Sequence, residues 1–110
     1  MVIVMITTWI PQGEEERAGK KYIDVIHQMP SESFEKPLLP LGVVATKEGT
    51  KVISIIEVKE GNYEKGLSLI TKRMLKLSEI DGIHYEIETL MSGKEAMSII
   101  GLGMPKALPM

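Results

Sequence analysis

LGVVATKEGTKVISIIEV, residues 41–58, is the stretch whose reading decides the fold. Two β-rich runs, Leu41 to Thr46 and Lys51 to Val58, flank the short polar connection Lys47-Glu48-Gly49-Thr50. A glycine in such a connection supplies the positive φ that a tight hairpin needs, so the two runs read as paired antiparallel strands with Gly49 at the turn.

Towards the N-terminus, Ser31 to Pro40 contains Pro37 and Pro40 and reads as a loop. Before it, Gly13 to about Met29 carries Ala18, Tyr22, Val25, Ile26 and Met29 at the spacing of one helix face, with Pro30 as its stop. Glu14, Glu15 and Glu16 occupy its first turn, where the helix dipole favours negative charge. Val2 to Trp9 is a β-branched run closed by Pro11 and Gly13. Its two faces are both mainly apolar, which places it in the middle of a sheet covered on both sides.

Towards the C-terminus, Asn62 stands where a helix N-cap belongs, and Tyr63, Leu67, Ile70, Met74 and Leu77 form the next helical stripe. Gly82 suits its C-terminal cap region. Ile83 to Leu90 alternates strictly, with Ile83, Tyr85 and Ile87 on one face and His84, Glu86 and Glu88 on the other. Ser92-Gly93-Lys94-Glu95 has the form of a capping box and predicts a short helix to about Ile100. Residues 101–110 form a tail with two prolines and one charge, apolar enough that it is expected to lie against protein.

The order is strand, helix, strand, strand, helix, strand, then an added helix: an α+β domain over residues 1–100 with a ten-residue tail. Two right-handed βαβ units, each with a strand inserted, give an antiparallel sheet in the order 4-1-3-2 with both helices on one face, the ferredoxin-like arrangement. The other face is left open. The last strand does not phase the first, but Thr7 and Trp9 break its aliphatic run, so Ile3, Met5, Thr7 and Trp9 are the set expected on that open face, with Ile53, Ile55 and Glu57 as the matching set on the third strand. An apolar patch of this kind calls for a partner.

In these elements (Val2 to Trp9, the Gly49 hairpin, the Tyr63 to Leu77 helix, Ile83 to Leu90 and the Ser92-capped helix) the chain resembles the dimeric α+β barrel superfamily. There, two ferredoxin-like subunits pack sheet to sheet. The resemblance implies a homodimer or a higher oligomer. It spans functions from cofactor-free monooxygenases and haem-degrading or haem-peroxidase relatives to isomerases and stress-response proteins, so it selects no reaction. The haem-degrading members use an Asn, Trp and His set in one pocket. Asn62, Trp9, His27 and His84 do not stand on the elements that pattern requires, and no functional residue is carried over.

Composition narrows the classes further. A chain of 110 residues, 44% hydrophobic and 25% charged, is that of an ordinary single domain and excludes disorder and fibrous repeats. The absence of cysteine excludes disulfides, thiolate nucleophiles and Cys-ligated metals. A net charge of −2 offers no bulk attraction for nucleic acid or anionic lipid. Lys65, Lys72, Arg73 and Lys76 on the second helix lack interleaved aromatics and read as a solvated face. Met1 to Ile10 is apolar but too short to span a bilayer, so the chain is read as a cytoplasmic protein without membrane or nucleic-acid partners.

Candidate sites remain. His84, Glu86 and Glu88 share one side of a strand about 7 Å apart in succession, an imidazole with carboxylates suited to proton abstraction. The competing reading is a charged sheet edge. In a 4-1-3-2 sheet Glu57 and Glu88 fall near the start of the first strand and His84 near its Trp9 end. That splits the set, allows a Glu57–Glu88 carboxylate pair and argues against a metal site. Trp9 and Tyr22 are candidates to line a ligand pocket, against a plain core role. His27 complements a helix C-terminus. Ser92-Gly93-Lys94 lacks the earlier glycine of a phosphate loop, and Gly101-Leu102-Gly103 follows a helix instead of a strand, so no cofactor is expected. The leading reading is a small homodimeric binding or accessory protein with a pocket between sheet and helices or between subunits. The alternative is a cofactor-free monooxygenase or isomerase with His84 or a carboxylate as base.

Overall fold

The computed structural model describes residues 1–103 and residue 105. Its elements run β1 (Val2–Pro11), α1 (Glu15–Gln28), β2 (Glu35–Thr46), β3 (Gly49–Val58), α2 (Tyr63–Leu77), β4 (His84–Leu90) and α3 (Gly93–Ile99). The four strands form one antiparallel sheet in the order β2-β3-β1-β4, the expected order read from its other edge. This is the ferredoxin-like α+β fold.

Strand alternation decides what each face carries. Val4 and Ile6 of β1 and Val58 of β3 are buried against Ile70 of α2, with Ile56, Met74 and Ile87 packed around them. A second cluster joins Ala18 of α1 to Leu77, Ile80 and Ile83, flanked by Ile10 and Tyr22. The even-numbered side chains of β1 therefore meet the helices, and Ile3, Met5, Thr7 and Trp9 face away, the set expected from the break in the aliphatic run at Thr7 and Trp9.

The hairpin is tighter than the sequence suggests. Only Lys47 and Glu48 form the turn, and Gly49 already pairs with Thr46. Gly49 has φ 136° and packs against the end of β1, where a Cβ would fall on the Ile10 carbonyl oxygen and 2.9 Å from the Gln12 nitrogen. The Gly82 cap reading needs correction: α2 ends at Leu77, capped by Ser78, and Gly82 (φ 88°) instead shapes the turn into β4. Asn62 holds the N-cap position of α2 without a side-chain hydrogen bond, whereas Ser92 accepts from the Glu95 N–H at 3.1 Å at the start of α3. Beyond it Ile99 and Ile100 are exposed. Most of the apolar tail, including Met104, Ala107, Leu108 and Met110, lies outside the described residues.

The loop expected over 31–40 is also corrected, because β2 begins at Glu35 and runs through both prolines. It does so as an edge strand, where a residue without an N–H can be tolerated, and register shifts between Pro37 and Leu39 and between Leu39 and Gly42 absorb the misfit.

Arg73 overturns the solvated-face reading of α2. It is 7% exposed, and its guanidinium makes a two-pronged pair with Glu35, at 2.8 Å to Oε2 and 2.7 Å to Oε1. Its remaining donors reach the Met29 and Pro30 carbonyls at 2.8 and 2.9 Å, and Glu35 also accepts from the Glu32 N–H at 3.0 Å. Burial pushes the Glu35 carboxyl up, but the Arg73 hydrogen bonds, the Glu32 N–H and the Arg73 charge together hold it below the ordinary glutamate value of 4.5.

Two predictions follow from these contacts. The depressed Glu35 carboxyl contributes stability that is complete above the ordinary glutamate value and is lost as pH falls through the lower folded value. Urea midpoints measured from pH 7 down to pH 3 should therefore fall with acid less steeply in Glu35→Leu/Arg73→Leu than in wild type. Glu35→Leu alone should lose about 3–5 kcal/mol at pH 7 by stranding a buried guanidinium, and adding Arg73→Leu should recover much of it. Separately, Gly49→Val should lose more than about 1 kcal/mol, and thermal unfolding should show a midpoint several degrees lower.

Candidate functional site

The two faces of the sheet offer different chemistry. On the helix side, α1 rests on α2 and β1, and the β2–β3 hairpin turns level with the end of β1, where Gly49 pairs with Pro11. Between α1 and the hairpin lies a cleft of about 420 Å³. Its floor is the helix-facing set of β1 and β3, in which Ile6 pairs with Ser54, Thr8 with Val52 and Ile10 with Thr50. Tyr22, Val25 and Ile26 of α1 form one wall, Pro40, Leu41 and Val43 of β2 the other, and Met74 of α2 closes the inner end. The hairpin half of the floor lacks the helix cover that the β1 half has, and Val43 is 63% exposed at its rim.

Few polar groups border this space, and most are engaged. Ser54 donates to the Pro40 carbonyl at 2.9 Å, closing the irregular segment of β2. Thr50 donates to Glu15 Oε2 at 3.1 Å, and Glu15 Oε1 accepts from the Gly13 N–H at 2.8 Å. Its own backbone N–H, that of Gly13 and the Thr50 hydroxyl keep the Glu15 carboxyl below the usual range, so the cleft mouth holds a negative charge at neutral pH. Arg73 contributes atoms to the lining, but its charge is matched by Glu35. Thr8, 5% exposed, also lies on the floor and adds a hydroxyl to the lining, as do Tyr22 and Ser31.

The opposite face carries the polar residues singled out from sequence. The register sets His84 beside Trp9, Glu86 beside Thr7 and Glu88 beside Met5, with Glu57 across β1 beside Ile3. Glu57 and Glu88 thus lie near the start of β1, one pair-step apart, and His84 lies at the other end with Trp9. Among the described residues, no group of three or more His, Asp or Glu side chains is placed to hold a metal ion. Among these residues Ile3, Met5, Ile53 and Ile55, each partly buried, form the apolar centre of that face.

Trp9 and Tyr22 point to opposite sides of the sheet, so within one protomer they do not share a pocket; Tyr22 lines the cleft and Trp9, 38% exposed, lies on the open face. His27 is exposed in the last turn of α1. Sequence reasoning missed Thr8, Glu15 and Gly19 as neighbours of one space. A signal for Gly19 was present, since a lone glycine inside a helix costs stability unless something requires it. Thr8 carried none. No described helix is long and apolar enough to cross a membrane.

No family model matches the chain, and no curated protein is similar to it. Among solved structures it is similar to a de novo designed protein, Foldit4, with a TM-score of 0.55 and 14% identity over 83% of this chain and 97% of that one. A dimeric ferredoxin-like protein from an uncultured marine organism aligns with a TM-score of 0.47 and 13% identity over 83% of this chain and 89% of that one. At such identities a likeness speaks to the fold alone; the ferredoxin-like α+β reading rests on the strand order itself.

Proposed function

We propose that this is a small homodimeric protein that binds an apolar small molecule in the cleft between α1 and the β2–β3 hairpin. The observation that carries the reading is the cleft itself: about 420 Å³, walled mostly by aliphatic side chains with Tyr22 among them, and with few polar groups, Thr8 on the floor being one. Ligand sites of small molecules have this volume and this sparse placement of polar groups. An apolar cavity also holds water poorly, so filling it with an apolar ligand is favourable.

The open face supports the homodimer. Ile3, Met5, Ile53 and Ile55 would remain in contact with water in a monomer, beside Leu39 at 37%, Val44 at 51% and Leu90 at 37% exposure. Charge placement favours a two-fold axis parallel to the strands. Such an axis lays β4 of one protomer, with Glu86 and Glu88, over the partner's β2–β3 side, which carries Lys36 and Lys51 on the same face. The enzymatic alternative requires His84 or a carboxylate as base next to the ligand. His84, Glu86, Glu88 and Glu57 lie across the sheet from the cleft, so chemistry by any of these groups would have to take place in the dimer interface.

Native mass spectrometry and dye binding test the two halves separately. The intact protein should appear at twice the 12.2 kDa chain mass, and Ile55→Lys should shift it towards monomer. The neutral dye N-phenyl-1-naphthylamine should bind once per protomer, with its fluorescence enhanced, and Ile55→Lys should leave that binding unchanged because the residue faces the other way. A monomeric wild type overturns the dimer. Absence of dye binding overturns the ligand cleft.

A further inference from the structure

Gly19 sits in the middle of α1, at the cleft wall, and nothing lies within 4 Å of where its Cβ would be. Its φ is not positive, and no neighbouring backbone approaches closely, so neither conformation nor packing calls for glycine there. Glycine inside a helix nevertheless costs stability relative to alanine, and the next residue back, Ala18, is 2% exposed and packed. The missing side chain leaves a gap in the α1 wall that opens on the cleft. Below it, Thr8, 5% exposed as a residue, brings a hydroxyl to the cleft floor. At the mouth stands the ionised Glu15, and Arg73, the one cation of the lining among the described residues, is already matched.

We propose that the cleft takes an uncharged, largely apolar, ring-sized molecule with a single hydrogen-bonding group, which enters past Gly19 and bonds the Thr8 hydroxyl. This rests on the ligand-cleft reading and adds three things to it: the entrance, the polar anchor and the exclusion of anions. The apolar floor and walls supply affinity without direction. Thr8 supplies orientation, because a ligand that displaced water from that hydroxyl without replacing its hydrogen bond would leave it stranded. A carboxylate would find Glu15 at the mouth and no unmatched cation within, so it would lose its hydration with nothing in return.

Three probes of similar size separate these terms: naphthalene, 1-naphthol and 1-naphthoate, titrated into the full-length protein by calorimetry or fluorescence. 1-Naphthol should bind most tightly and 1-naphthoate at least tenfold more weakly. Gly19→Leu should weaken all binding at least tenfold by filling the gap, while its thermal midpoint holds or rises with the better helix former. Thr8→Val should weaken 1-naphthol about threefold to tenfold and leave naphthalene unchanged, and Thr8→Ser should restore the preference for 1-naphthol. Should Gly19→Leu leave all three affinities intact, the probes sit elsewhere and the cleft reading itself is overturned. Should Gly19→Leu abolish binding while Thr8→Val has no selective effect, or 1-naphthoate bind as well as 1-naphthol, the cleft stands and the chemistry proposed for it falls.

Discussion

The structure depends on one buried ion pair. Arg73 is anchored in α2, and its guanidinium reaches the first residue of β2 and the two carbonyls that follow α1. Three separate pieces of chain are thereby fixed to each other by charge-assisted hydrogen bonds in fork geometry, which tolerate little displacement. Such a pair contributes less to net stability than its contacts suggest, because both charges have been taken from water. Its main effect is to specify position. With Glu35 held, β2 must start where it does, run along β3 at the register observed, and set its apolar side chains opposite α1. The width of the cleft is therefore fixed by an interaction at its far end.

The sheet separates two environments with no shared side chains. Towards the helices, β1 and β3 present aliphatic residues interrupted by Ser54, Thr8 and Thr50, and the hydroxyls at the two ends of that row are engaged by β2 and α1. On the other side an aliphatic centre is bordered by Glu86 and Glu88 along β4 and by lysines on β2 and β3. Because alternate residues of one strand serve the two faces, a change at Thr8 leaves the opposite face untouched, and a change at Met5 leaves the cleft untouched.

Much of the fold was legible because periodicity reports it directly. The strict alternation in β4 fixed its phase, and the apolar run of β1 marked it as central. Gly49 marked the hairpin, although the turn proved two residues long. What stayed hidden depended on distant partners. Arg73 lies beside Lys72 and near Lys76 in sequence, and nothing local tells a solvated cation from one that meets a glutamate 38 positions away. Pro37 and Pro40 are loop signals unless the strand is known to be an edge. The cleft was the least legible, since it is a space left where α1 does not cover the hairpin. The candidates chosen from sequence were the polar residues that alternate visibly, and those face away from it, Tyr22 excepted.

The prolines of β2 have a consequence for how the molecule can grow. A sheet lengthens sideways only when an incoming strand finds a row of hydrogen-bond donors and acceptors in step with its own. Pro37 and Pro40 delete donors from β2, and the two register shifts break its spacing. The opposite edge, β4, has only seven residues and carries His84, Glu86 and Glu88. Runaway polymerisation from edge to edge is thereby discouraged at both borders, even with so many apolar residues at the surface. The proposed homodimer has the other, closed kind of geometry: face to face, it ends at a finite number of copies.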